Sequence, residues 1–286
     1  MSLKTFIRSR LKKRRKIIFI NEQEDMSILD KELSDCSEFG LDTEFDWRTT
    51  YYPKISTVQI CVKNKLFLID CLKINSFDVL KNACEDKNRL KIFHSVRSDS
   101  LVLSKSLGIH TRNVFDIQVA EKLLSNEEIK SYGKIVKKFF YINLDKTETN
   151  SNWLKRPLSD KQIKYALEDV DYLLEIYGYQ RVLLKKKSLF KDALTLSEQE
   201  ADLGNQPLKK LRLSRQKNKL SKRNLEIFEW REVLAEENNV PPAYIFKNKY
   251  LKNLARVKAD DINAKKKIIT ILGDSILTEN FIRDFL

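Results

Sequence analysis

Glycine and proline are scarce, 6 and 5 of 286 residues, which excludes a collagen-like chain or one built mostly of linker. The four cysteines, Cys36, Cys61, Cys71 and Cys84, contain no C-x-x-C pair of the kind a zinc site or redox motif uses, so they read as reduced intracellular thiols. Long apolar runs are missing as well: none approaches the roughly 18 residues of a membrane span. What is present suffices for a folded protein, with 42% hydrophobic and 10% aromatic residues. That content supports a substantial core, and the length suggests one domain of ordinary size plus a smaller one.

Acidic residues are absent from the start of the chain, where residues 1–16 hold 8 basic side chains. Residues 17–204 hold 28 basic and 30 acidic, and residues 205–286 hold 18 and 10, so the formal charge of +14 divides into +8, −2 and +8. An excess of this size points to a polyanionic partner or an anionic membrane. It belongs to two flanks of a slightly acidic middle section, which suggests carboxylate chemistry inside and anion capture outside. The acid-free start has the composition of an organellar transit peptide. It lacks serine enrichment, however, and Lys16-Ile17-Ile18-Phe19-Ile20 continues directly as a strand. A basic arm over residues 1–15 that touches nucleic acid, or a frayed terminus, is the preferred reading.

Periodicity predicts an alternating α/β pattern over the first two thirds. Strands are expected at Ile17–Ile20, Phe39–Phe45, Ser56–Val62, Leu66–Asp70 and Leu90–His94. Helices are expected at Asp25–Asp35, Phe77–Asp86, Ser98–Leu107, Asp116–Leu124, Tyr132–Phe140 and from Asp160 to about Leu184. From about Asn205 to Arg223 the chain is rich in lysine and arginine and holds no acid, with Gly204 and Pro207 near the start of this stretch, and a basic linker is expected over 201–223. Residues 224–286 are helical in pattern and read as a small second domain.

Three acidic elements carry the chemistry. In Phe39-Gly40-Leu41-Asp42-Thr43-Glu44-Phe45-Asp46, Asp42 and Glu44 stand at i and i+2 of a strand and point to one face. Asp99 falls in the first turn of the helix after Lys91–His94, where the helix dipole favours a carboxylate. Tyr165 and Asp169 are i and i+4 on one helix face. Each element alone has a plain structural account, as a solvated strand face, a helix cap or a chance pair. Asp46 is expected past the strand end, Glu168 and Asp171 toward solvent, Asp116 as a helix N-cap and His94 as a structural residue.

Taken in order, D-x-E, then Asp, then Y-x-x-x-D on an α/β scaffold resembles the DEDD 3′→5′ exonucleases of the tyrosine subtype, and within them ribonuclease D. The resemblance extends over Asp42-Thr43-Glu44-Phe45, Tyr51-Tyr52-Pro53 with Gln59, Phe115-Asp116, Leu144-Asp145-Lys146, Trp153-Leu154-x-Arg156-Pro157-Leu158 and Tyr165-Ala166-x-x-Asp169. It implies a ribonuclease H-like 3′-5′ exonuclease fold over residues 16–200, a mixed sheet surrounded by helices. It further implies two divalent cations, Mg²⁺ or Mn²⁺, which carboxylate oxygens suit as hard ligands. By carry-over Asp42 bridges both ions, Glu44 and Asp169 hold the ion that activates water, Asp99 serves the other, and Tyr165 orients the water. The same resemblance implies RNA with a single-stranded 3′ end as partner, tRNA precursors among them, cleavage to nucleoside 5′-monophosphates, and a cytoplasmic location. Trp153, Arg156, Lys146, Gln59 and Tyr51 are the candidate substrate contacts, since stacking and a guanidinium would suit a single strand.

The last part resembles an HRDC domain through Leu225-x-x-Phe228-x-Trp230-Arg231-x-x-x-Ala235 and Pro241-Pro242-x-x-Ile245-Phe246. Longer bacterial ribonucleases D carry two such modules and this chain shows one. Its basic residues, Lys247, Lys249, Lys252 and Arg256 with Lys265–Lys267, would hold phosphates without reading sequence. Two other readings remain open: a DNA exonuclease of the same fold, and a catalytically silent RNA-binding protein.

Overall fold

A computed structural model describes residues 15–125, 130–215 and 220–286. Apart from Arg15, the basic arm expected over 1–15 lies outside the described residues. The chain divides into two compact units. One runs to Asp46 and resumes over Pro53–Gln206; the other comprises Trp47–Tyr52 and Pro207–Leu286.

Unit 1 is built on one six-stranded sheet in the order β1-β4-β3-β2-β5-β6, with β1 Lys16–Ile20, β2 Glu38–Asp46, β3 Lys54–Val62, β4 Lys65–Asp70, β5 Leu90–Phe93 and β6 Val114–Asp116. The hairpin β2-β3-β4 is antiparallel; β1, β5 and β6 join in parallel, so the sheet is mixed as expected. Helices cover both faces, because the apolar residues of the central strands alternate between two cores. One gathers Leu41, Val58, Ile60 and Phe67 with α1 (Met26–Ser34), α2 (Asp78–Glu85) and α3 (Val96–Leu107). The other gathers Cys61, Leu66, Leu68 and Ile92 with α4 (Ile117–Ser125), α5 (Tyr132–Phe140), α6 (Asp160–Asp171) and α7 (Leu173–Lys186).

Local structure departs from the predicted pattern at four places. Asp116 ends β6 and is not merely a cap. Its carboxylate nonetheless accepts from the amides of Ser95, Val96 and Gln118, so it closes the starts of both α3 and α4. The helix predicted from Asp160 to Leu184 is two, α6 and α7, broken at Tyr172, whose amide donates to the Tyr132 hydroxyl at 3.3 Å. A further helix, α8 (Phe190–Asn205), was not predicted. The expected linker is partly helical: α9 (Leu208–Ser214) buries Leu208 and Leu211, an apolar pair at helical spacing inside a cationic stretch.

Unit 2 is helical among its described residues: α9, α10 (Lys222–Glu237), α11 (Pro242–Ile245), α12 (Tyr250–Ala255), α13 (Ala264–Leu272) and α14 (Ile276–Phe285) surround a core of Ile227, Phe228, Leu254, Ile268 and Phe281.

Two glycines let backbones approach where the site is assembled. A Cβ on Gly40 of β2 would sit 3.0 Å from Leu173 of α7, and one on Gly204 of α8 would sit 2.4 Å from the Arg97 carbonyl oxygen of α3. The second clash is with backbone and cannot be relieved by a rotamer. Gly204→Ala should therefore cost about 1–3 kcal/mol and lower Tm by roughly 3–10 °C in differential scanning fluorimetry. Gly178→Ala in α7, whose added Cβ meets nothing within 4 Å, should leave Tm unchanged or raise it.

Candidate active site

Strand alternation puts Asp42 and Glu44 of β2 on one face, and a bulge follows directly between Glu44 and Phe45. Helix α6 begins at a capping box formed by Ser159 and Gln162 and delivers Asp169 to the same place. One carboxylate oxygen from each of Asp42, Glu44 and Asp169 lies within 4.8 Å of the others. Asp99 stands outside that trio, 4% exposed, on the side of β2 where Thr43 donates to its Oδ1 at 2.7 Å. Its charge still reaches Asp42 and Glu44.

Crowding of acids away from water raises the proton affinity of Asp42, Glu44 and Asp99. Burial pushes the Asp42 carboxyl well above its usual range, and the charges of Asp99, Asp169 and Glu44 push the same way. Burial and the Asp169 and Asp99 charges bring Glu44 to about 9. Burial brings Asp99 to about 7 against the opposing Thr43 hydrogen bond. Among the described residues Lys146 answers them: its Nζ is 2.8 Å from Asp169 Oδ1 and sits 5.0 and 5.4 Å from the ring centroids of Tyr165 and Tyr132. Three hard oxygen ligands whose charges repel fit a divalent cation, which would hold them ionised.

Tyr165 is 8% exposed, and its hydroxyl lies 3.1 Å from Thr149 Oγ1. Burial and the Asp169 charge raise its phenol further, so it is neutral at pH 7. Neither Thr149 nor Thr43 was singled out in the sequence, where a hydroxyl beside an acid carries no spacing pattern.

Four of the candidate substrate contacts lie away from the carboxylates, buried or already paired. Trp153 is 2% exposed and packs its ring 5.9 Å from that of Tyr165, so it supports the tyrosine from within the core. Arg156 grips Asp70 through two 2.7 Å bonds and spends its other donors on Trp153, Lys155 and Ser56. Gln59 pairs in register with Asp42, is fully buried, and donates to Thr57. Tyr51 belongs to unit 2, buried, with its hydroxyl donating to Glu232. Lys146 alone of the five stands at the carboxylates. Of the neighbours, Asp46 is buried at the strand end and outside the trio. His94 lies beside the Lys130 carbonyl and Gln118. Glu168 lies 3.8 Å from Lys164, and Asp171 is bound by Arg15 at 2.6 Å instead of facing solvent alone.

Residues 17–185 match the 3′-5′ exonuclease family and residues 223–278 the HRDC domain. The chain belongs to the 3′-5′ exonuclease family. It is 32% identical over 252 residues to ribonuclease D of Desulfotalea psychrophila, covering 84% of this chain and 66% of that protein. With ribonuclease D of Haemophilus influenzae it shares 30% over 229 residues, 77% of this chain and 57% of that one. The chain thus spans somewhat less than two thirds of the length of these relatives. Escherichia coli RNase D has the same fold, with a TM-score of 0.77 at 23% identity over 93% of this chain and 75% of that one. The catalytic core of RRP6 from Trypanosoma brucei superposes with a TM-score of 0.68 at 23% identity, covering 94% and 77%. The 3′-5′ exonuclease fold and the HRDC module expected from the sequence are therefore both present in this chain.

The raised carboxyls predict an inverted pH dependence of stability in chelator. The Glu44 carboxyl ionises near 4.5 when unfolded and near 9 when folded, so above the lower value the unfolded state releases a proton that the folded state retains. The Glu44 contribution to stability is full below about pH 4.5 and lost by about pH 9. Thermal melts in EDTA should show Tm falling across that window. Glu44→Gln should flatten the slope, and Mg²⁺ or Mn²⁺ should remove most of it. A Tm in EDTA that is independent of pH across the window would refute the electrostatic account.

Proposed function

We propose that the chain is a metal-dependent 3′-5′ exoribonuclease that releases nucleoside 5′-monophosphates from RNA. The convergence of Asp42, Glu44 and Asp169 within 4.8 Å, from a strand and a helix that are distant in sequence, carries the reading. The ribonuclease D relatives support it, as does the Trypanosoma brucei RNase D complex with RNA U12, whose fold matches at a TM-score of 0.61 and 24% identity over 72% of this chain and 76% of that one.

Asp42, Glu44 and Asp169 would hold the catalytic cation, with Asp99 serving a second from the Thr43 side of β2. When bound, Mg²⁺ or Mn²⁺ supplies the charge that stabilises the attacking and leaving oxygens of an in-line phosphoryl displacement. Tyr165 is too weak a base at pH 7 and acts by orientation: its neutral hydroxyl, set by Thr149 and braced by Trp153, holds the attacking water by hydrogen bond. The Lys146 ammonium, poised at Asp169, neutralises charge on the phosphate. Substrates are RNAs with single-stranded 3′ ends, tRNA precursors among them. The four free thiols suit a reducing compartment such as the cytoplasm.

A 5′-labelled single-stranded RNA incubated with the full chain and Mg²⁺ or Mn²⁺ should shorten stepwise from its 3′ end. Asp42→Ala should slow this by at least about a hundredfold, the scale of losing one preorganised electrostatic group, with RNA binding retained. Matched DNA degraded faster than RNA would move the assignment to a DNA exonuclease. RNA binding without metal-dependent shortening would replace it with a silent RNA-binding protein.

A further inference from the structure

Unit 2 contains a cavity of about 640 Å³, all of whose lining residues belong to that unit. Its wall carries Arg212, Arg215, Arg231 and Lys252 against one carboxylate, Glu232, a formal excess of three positive charges. Not all of these cations are equivalent. Arg212 is committed within the protein: it bonds Glu232 at 2.7 Å, reaches the Tyr51 carbonyl at 3.2 Å and lies 4.3 Å from the Tyr51 ring centroid. Arg215 and Lys252 are exposed and form no ion pair among the described residues.

Arg231 is the unusual member. It is 2% exposed, and its Nη1 donates to the Phe246 carbonyl and Asn248 Oδ1, yet its buried Nε finds no acceptor. Its neighbour Glu232 shares Oε2 between Arg212 and Tyr51, while its Oε1, also without a hydrogen bond, stays 3.9 Å from Arg231 Nη2, beyond hydrogen-bond reach. A buried guanidinium with an unmade hydrogen bond is costly, and an anion entering the cavity supplies both acceptor and countercharge. The cavity far exceeds the space a phosphate group needs, and its volume falls in the range of small-molecule sites. The rest of its wall is mostly apolar, with Trp47, Phe228, Pro241 and Pro242 beside the polar Thr50 and Asn248. Arg212 lies 5.7 Å from the Trp47 ring centroid, so cations and an indole share one cavity, a combination that matches a phosphate joined to a base.

We propose that this cavity is a second, non-hydrolytic site that takes one nucleoside monophosphate unit, its phosphate held by Arg215, Arg231 and Lys252 and its base against Trp47. Such a unit could arrive as a free nucleotide or within an RNA chain, and the chemistry of capture is shared. The site is independent of the hydrolytic reading, because it contains none of the carboxylates of unit 1.

Isothermal titration of the full chain with AMP in EDTA tests it. Saturable binding is expected, at least tenfold tighter than that of adenosine or inorganic phosphate, since each supplies only half of the contacts. Arg215→Glu and Lys252→Glu should each weaken AMP at least tenfold, whereas Lys87→Glu, an equal charge change in unit 1, should alter it less than twofold. Competition by a short oligoadenylate at lower concentration than AMP identifies the chain as the source; competition at no lower concentration identifies the free nucleotide. Absence of saturable AMP binding, equal affinity for phosphate, or indifference to both charge reversals overturns the proposal. Displacement by an acidic peptide as effective as AMP also overturns it, in favour of a nonspecific anion patch.

Discussion

Mutual repulsion of carboxylates is the constraint around which unit 1 is arranged. Asp42, Glu44, Asp99 and Asp169 are drawn from two helices and a strand into a region where water screens poorly, and folding without countercharge would protonate some of them. The surrounding groups relieve this only in part. Thr43 supplies Asp99 with a hydrogen bond, and Lys146 supplies Asp169 with a charge. An arrangement that retains so much unfavourable electrostatics is poorly explained by stability and well explained by affinity for a cation, whose binding recovers what the acids lose in folding.

Holding mutually repelling groups together requires a rigid frame, and that frame is built from close backbone approaches. Leu173 packs on Gly40, two residues before Asp42, and α8 packs on α3 at Gly204, behind the helix that carries Asp99. Arg15 ties down the end of α6: its guanidinium bonds Lys63 and Asp171 carbonyls and the Asp171 and Glu175 carboxylates, fixing the helix two residues beyond Asp169. One cation of the acid-free N-terminal stretch is thus a structural clamp and is not available to a polyanion.

The chemistry was legible in the sequence where it rests on spacing. Residues at i and i+2 of a strand must share a face, as must residues at i and i+4 of a helix, so Asp42 with Glu44 and Tyr165 with Asp169 could be paired from the text alone. The meeting of strand and helix could not be read from spacing and came from resemblance to a family. The candidate substrate contacts are a different case. A tryptophan or arginine is available to a ligand only if the fold leaves it so, and burial or prior pairing is a property of the tertiary structure. Trp153 and Arg156 have the right chemistry but are spent on the core and on Asp70. The short strand β6 and the helix α9 were missed because three residues give no period, and because lysine and arginine around Leu208 and Leu211 hid an apolar pair.

The same distinction refines what a surplus of positive charge can mean. A sum over a segment counts Arg15, Arg212 and Lys252 alike, yet the first clamps α6 and the second is neutralised by Glu232. Electrostatic capture of a polyanion depends on cations whose fields are not already cancelled. In unit 2 two of the residues that meet this condition, Arg215 and Lys252, stand on the wall of a cavity beside a buried guanidinium with an unused donor. Two arginines of the stretch that in the sequence suggested a diffuse basic linker, Arg212 and Arg215, thereby meet Arg231 and Lys252 at one place, with a shape and apolar side chains that a simple phosphate patch would not need.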